Sequence, residues 1–211
     1  GTCYVEVINT ITGCSSGIES FTIEEPEQLV ASSTYTDVSC FGGFNGSAEI
    51  TTVSGGSPIG SPIYHYSWED NAVPGTVIST TSIATGLAAG TYICTITDGS
   101  PENPACFITE TIIISESNQI LSGLISTPVS CVTGQGTDND GSASVTPTGG
   151  TPFITGDPYT YLWTVTNSTT SSSSGYSSSV TPTIYTVTIT DALNCSETFD
   201  VDIPAATSLT F

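Results

Sequence analysis

The side chains with most chemical capacity here are seven cysteines, one histidine, a short acidic turn and a few aromatic strands. The cysteines form no CxxC pair and His65 stands alone, so a zinc site is poorly served. Thiols without metal spacing point instead to disulfides in an oxidising compartment. "TDNDGSAS" (Thr137–Ser144) sets Asp138, Asn139 and Asp140 before a glycine, an oxygen-rich turn of the sort that binds calcium. No bidentate glutamate follows at the EF-hand position, and a plain hairpin turn accounts for the same residues. His65 has serines and aspartates to choose from for a triad, but no nucleophile elbow or oxyanion loop surrounds it. Trp68 and Trp163, with Tyr64, Tyr66, Tyr159 and Tyr161, would make a sugar-stacking platform if exposed. Alternation argues for core, because each trio shares one face of a strand. Three sequons, at Asn45, Asn167 and Asn194, are candidate glycosylation sites in a Ser/Thr-rich chain.

Charge narrows the partners. The chain has 211 residues, twenty acidic ones and no lysine or arginine, for a formal charge of −20. Phosphate binding needs basic groups, so nucleic acid and anionic membranes are excluded as direct partners. Apolar and aromatic residues are spread throughout, which sets the chain apart from disordered acidic tails. The longest apolar runs have strand length, and none reads as a signal peptide or a membrane span.

The elements that position these residues recur. "NGSAEITTVSGGSP" (Asn45–Pro58) matches "DGSASVTPTGGTP" (Asp140–Pro152), and "PIYHYSW" (Pro62–Trp68) matches "PYTYLW" (Pro158–Trp163). Tyr92 to Asp98 matches Tyr185 to Asp191, with Cys106 and Cys195 following, and Cys40 and Cys131 each precede a block. The offset is about ninety residues, the size of one small all-β domain. "GTCYVEVINTITGC" at the start falls on the late part of the same template, with Cys3 at the place of Tyr92, Asn9 at that of Asp98 and Cys14 at that of Cys106. Residues 1–33 are therefore expected to be the closing strands of one repeat, and 34–122 and 123–211 two whole ones. Every segment reads as strand: β-branched and aromatic residues alternate at period two between Gly-Gly, Asn-Gly and Asp-Gly turns. The expected fold is all-β, a tandem series of antiparallel β-sandwiches, with the serine run "TNSTTSSSSGYSSS" (Thr166–Ser179) as a solvated connection between strands.

On this frame Cys40 with Cys106, and Cys131 with Cys195, would each join the first strand of a repeat to its last hairpin. Such a closure is worth about 4 kcal/mol on the chain-entropy model. Cys3 and Cys14 flank one hairpin and would pair across it, leaving Cys94 free and buried. Two alternatives stay open: Cys94 with Cys106, leaving Cys40 over, or Cys14 with a cysteine in the rest of its own repeat.

The order of these motifs resembles the SprB-type repeat of giant surface adhesins in gliding Bacteroidota and related secreted proteins. The carrying residues are the Cys before "NGSA" or "DGSA", the "GG.P" step, the "Y.Y.W" strand, the "GTY...TD" strand with its following Cys, and the closing "TI.EP" strand. The resemblance implies Ig-like β-sandwich repeats, a bacterial cell-surface or extracellular setting and no catalysis. The expected function is a structural segment of an extracellular filament or long adhesin, assembling head to tail with copies of itself. Strand edges left open in the partial repeat would be completed by upstream chain or by a neighbouring molecule. The alternative is a carbohydrate-binding module holding glycans on exposed aromatics.

Overall fold

A computed structural model of the chain describes residues 1–56, 63–98, 106–130, 140–176 and 185–204. Strands and turns make up these residues, with no helix among them. β1 (Thr2–Ile8) and β2 (Ser15–Thr22) form a two-stranded sheet. Next come β3 (Glu27–Thr36), β4 (Gly46–Gly56), β5 (Tyr64–Asp70), β6 (Val77–Ser79), β7 (Ile83–Leu87), β8 (Gly90–Asp98) and β9 (Phe107–Ile114). They build one sheet of order β3-β4-β7 and another of order β6-β5-β8-β9. The last group is β10 (Ile125–Thr127), β11 (Gly141–Ser144), β12 (Thr160–Trp163), β13 (Ser172–Tyr176), β14 (Tyr185–Thr190) and β15 (Ser196–Val201). Its sheets run β10-β11-β13 and β12-β14-β15, the same order except that no counterpart of β6 occurs among the described residues. The β1–β2, β5–β8, β12–β14 and β14–β15 ladders are antiparallel, as hairpin-linked strands require.

The chain forms two compact units. One comprises Gly1–Thr34, Ala48–Ala84 and Tyr92–Ile112; the other comprises Tyr35–Ser47, Thr85–Thr91 and Ile113–Phe211. In the first, alternation along β8 buries Tyr92, Cys94, Ile96 and Asp98 and leaves the residues between them partly exposed. In the second, Ala143 of β11 and Tyr176 of β13 share one core with Trp163 of β12 and Val187 and Ile189 of β14. Side chains from both sheets meet there, which is sandwich packing.

The serine run is a correction. Ser172–Tyr176 is strand β13, paired antiparallel with β11, rather than a solvated connection. Ser173 and Tyr176 supply its buried positions. The indole Nε1 of Trp163 donates to the Thr170 carbonyl at 2.8 Å and the Thr170 hydroxyl donates to the Ser172 carbonyl at 2.8 Å, which fixes the approach to the strand. The earlier copy is anchored in the same way: Trp68 Nε1 donates to the Thr81 carbonyl at 3.0 Å and the Thr81 hydroxyl to the Ile83 carbonyl at 2.8 Å.

Candidate functional site

Three hairpins carry five of the seven cysteines, and all three are held by one device. The backbone N–H of Asn9 donates to the Cys14 carbonyl at 2.8 Å, that of Asp98 to Cys106 at 3.0 Å, and that of Asp191 to Cys195 at 3.0 Å. Each Asx side chain then turns back on its own loop, as Asx turns do. Asn9 Oδ1 accepts from Ile11 and Thr12, Asp98 Oδ1 from Cys106 at 2.7 Å, and Asp191 Oδ1 from Leu193 and Cys195. The glycine pairs support the two buried carboxylates. Gly56 and Gly150 lie at positive φ against the Oδ2 atoms of Asp98 and Asp191, where a side chain would collide with the carboxylate.

The cysteines in these hairpins pair differently from expectation. A disulfide joins Cys40 to Cys195, across 155 residues of sequence, so the links Cys40–Cys106 and Cys131–Cys195 are not formed. The expectation assumed that each period closes on itself. Cys40 and Phe41 instead lie in a groove with Asn118, Ile120 and Cys195, within one compact unit. Closing so long a loop is worth about 5 kcal/mol on the chain-entropy model. Cys3, Cys14, Cys94 and Cys106 are free thiols, and Cys131 lies outside the described residues. Cys3 and Cys14 do not pair across their hairpin, for a geometric reason. Cys3 faces Phe21 while Ser15 faces Ile8, which puts the two about 17 Å apart along the ladder. A disulfide needs Cα atoms within about 7 Å. Cys94 and Cys106 fail on the same ground, because Cys106 stands opposite Asp98 and Cys94 is about 14 Å further along. Cys94 is fully buried, and burial pushes its thiol up to about 12, so it stays protonated and unreactive.

The aromatic strands turn inward. Trp68 and Trp163 are fully buried, Tyr159, Tyr161 and Tyr176 nearly so, and Tyr64 and Tyr66 partly. The tryptophans and Tyr176 therefore offer no platform for a sugar. Tyr64 and Tyr159 each donate their hydroxyl to the first carbonyl of a Gly-Gly step, Gly55 at 3.0 Å and Gly149 at 2.7 Å. His65 is exposed and paired across the ladder with Thr97.

At the acidic turn, Asp140 spends both carboxylate oxygens on Ser130. One accepts the Ser130 N–H at 2.8 Å and the other its hydroxyl. These bonds hold the Asp140 carboxyl below its ordinary range. Asp138 and Asn139 lie outside the described residues, and no metal-type cluster of His, Cys, Asp or Glu occurs among the described ones. Asn45 does the equivalent job in the earlier copy: its Oδ1 accepts from Ser39 N–H at 3.1 Å and its Nδ2 donates to the Ser39 hydroxyl at 2.7 Å. The sequon residues Asn45, Asn167 and Asn194 are all exposed, the last two at positive φ.

The first hairpin is exposed almost throughout. Its inward-type positions, Val5 and Val7, are 48% and 67% exposed, whereas Cys94 and Ile96 in β8 and Val187 and Ile189 in β14 are at 0%. The alignment of Cys3 with Tyr92 carried that signal, since it puts Val5 and Val7 on Cys94 and Ile96.

No curated protein matches the chain. The amphioxus IgVJ-C2 molecule is similar at 12% identity, covering 70% of this chain and 92% of that one, with a TM-score of 0.28. The complex of Dpr11 IG1 with DIP-gamma IG+IG2 is similar at 11% identity, covering 85% and 100%, with a TM-score of 0.31. Likeness this loose has no bearing on function. Residues 32–73 match the family model of the SprB repeat, so β3, β4 and β5, with the Asn45-Gly46-Ser47-Ala48 turn, carry a SprB-type repeat, a module associated with cell-surface proteins.

Proposed function

We propose that the chain is a non-enzymatic structural segment of an extracellular filament or long bacterial cell-surface adhesin. It comprises one partial repeat (1–33) and two whole SprB-like repeats (34–122 and 123–211), and it assembles head to tail with other copies of itself. The observation that carries this reading is the match of residues 32–73 to the SprB repeat, on a fold whose hairpin device, Gly-Gly step and tryptophan anchor recur along the chain. Cys3, Val5, Val7 and Phe21 lie on one face of the β1–β2 hairpin, and the positions of the first three in β8 and β14 are core. A two-stranded hairpin with open edges is marginal alone. Covering it removes apolar surface from water at about 1.5–3 kcal/mol per large aliphatic side chain. Antiparallel strands from chain ahead of Gly1 or from a second copy would do so. Recurrence of the Asx–Cys hairpin, the Gly-Gly step and the tryptophan anchor supports the division into repeats. The disulfide fits an oxidising, external setting.

Electron microscopy of the native extracellular material tests this, with the axial spacing read from the images. Filaments with a spacing of two to three sandwiches are expected. Val7→Asp should abolish them while the monomer melts within a few degrees of the parent, because Val7 is already exposed there. Dispersed single particles, or filaments untouched by Val7→Asp, would overturn the reading.

A further inference from the structure

The Cys40–Cys195 bond sorts the strands into two classes. β1, β2 and β3 precede Cys40 and β15 follows Cys195, while β4 to β14 all lie in the covalent loop between them. Both cysteines belong to one compact unit. Tension applied between the ends of a chain runs through its covalent bonds, so a cross-link takes the load at Cys40 and returns it at Cys195. The 155 residue steps between the two are bypassed. The strands outside the loop are held by non-covalent contacts alone, in ladders that open in sequence. Thr2 faces Thr22 at the open end of the β1–β2 ladder, and the Asn9–Cys14 turn closes the other end. Pulling Gly1 away from β3 therefore parts that ladder one pair at a time, and no buried side chain of β1 or β2 resists. β15 parts in the same way, from Val201 opposite Tyr185 to Ser196 opposite Thr190. The next residue is Cys195, and there the peeling meets a covalent bond.

We infer that the Cys40–Cys195 disulfide is a length-limiting tether: under tension the chain releases β1, β2, β3 and β15 and then stops, with β4 to β14 carrying no load. That the chain bears load in its native setting rests on the adhesin or filament reading above. At about 3.4 Å per extended residue, the tethered chain reaches about 190 Å and the untethered one about 720 Å. The pairing matters as much as the presence of a bond. Two bonds that closed each repeat on itself would leave the segment joining the repeats in the load path, for a limit of about 280 Å. The bond between Cys40 and Cys195 takes that segment out as well. Reduction removes the tether. The S–S bond takes up two electrons and two protons and becomes two thiols; a water-soluble phosphine gives the electrons and leaves as its oxide, with water supplying the oxygen and the protons.

Single-molecule stretching of the whole chain, held by protein tags fused to both ends, reads the tether as a contour length beyond that of the tags. The untreated chain should stop at about 190 Å, and phosphine or Cys40→Ser should lengthen it about fourfold, to about 720 Å. Cys106→Ser leaves the tether in place and should stop at the untreated length. Contour length is set by covalent connectivity, so the readout holds even where a variant folds poorly. A stop near 280 Å would mean that each repeat closes on itself, and one near 720 Å before reduction that no tether exists; either overturns the inference. A short stop that survives Cys40→Ser overturns it too. Filaments built from chains that run to full length would overturn the tether alone. A tethered chain that never assembles would bear the tether out and overturn the filament reading.

Discussion

Tyr176 buries its hydroxyl with no hydrogen-bond partner among the described residues, while its ring packs 4.6 Å from Tyr185 and 6.3 Å from Trp163. A buried unpaired hydroxyl costs roughly 1–3 kcal/mol of desolvation, and removing it returns that cost. Tyr176→Phe should therefore melt at or above the parent temperature in calorimetry; a loss beyond about 1 kcal/mol would show that the hydroxyl has a partner. Gly141 is the opposite case. A Cβ there would lie 2.6 Å from Ile203 Cγ2 and 2.9 Å from the Tyr176 carbonyl, and Gly46 meets Ile114 and the Leu87 carbonyl in the same way. Overpacking of this kind costs about 1–3 kcal/mol, so Gly141→Ala should lower the denaturant midpoint by that amount. The glycine of each Asp/Asn-Gly-Ser-Ala turn is thus as much a packing residue as a turn residue. Trp68 and Trp163 were legible as core because alternation alone decides which face is apolar. Tyr176 was not legible, because the serines around it mask the period. The Cys40–Cys195 bond was not legible either, because spacing cannot say which of two equivalent grooves a cysteine enters.

Serine has little β propensity, so β13 depends on its neighbours rather than on its own residues. Its inward positions are the small Ser173 and the large Tyr176, where β7 has Ala84 and Leu87, and the β11 ladder satisfies its backbone. A strand specified by its partners shows in the sequence only through alignment with its better-marked copy. The first hairpin was legible in the reverse sense: its pattern was plain, and an open apolar face is what a partial repeat implies. The turn before β11 makes a pH-dependent contribution whose sign is set by Asp140. Its folded carboxyl is held below the ordinary value by the Ser130 hydroxyl and N–H. The stabilisation is therefore present above the unfolded pKa, near 3.9, and is lost as pH falls through the folded value. Asn45 makes the equivalent contacts with an uncharged side chain, so Asp140→Asn should keep the turn and remove this pH dependence. Melting temperatures of parent and variant should differ above about pH 4 and converge in stronger acid. A constant difference across that range would show that Ser130 does not sense the charge.

For the molecule as a whole, the dominant fact is a formal charge of −20 with no lysine or arginine to offset it. Any assembly of identical copies must bring like charges together, and that repulsion opposes the burial of Val5 and Val7. It is also the part of the balance that salt controls. The screening length falls from about 30 Å at 0.01 M salt to about 8 Å at 0.15 M. The assembled fraction at fixed protein concentration should therefore rise steeply over that range and level off above it, as read by sedimentation. Assembly that weakens with salt would mean that attraction between charges, not apolar burial, joins the copies. Calcium against sodium at matched ionic strength separates screening from binding. Screening alone gives equal assembled fractions, the outcome expected for an Asp140 already committed to Ser130. A clear excess with calcium, lost in Asp138→Asn, would instead assign the turn at Asp138, Asn139 and Asp140 a metal ion.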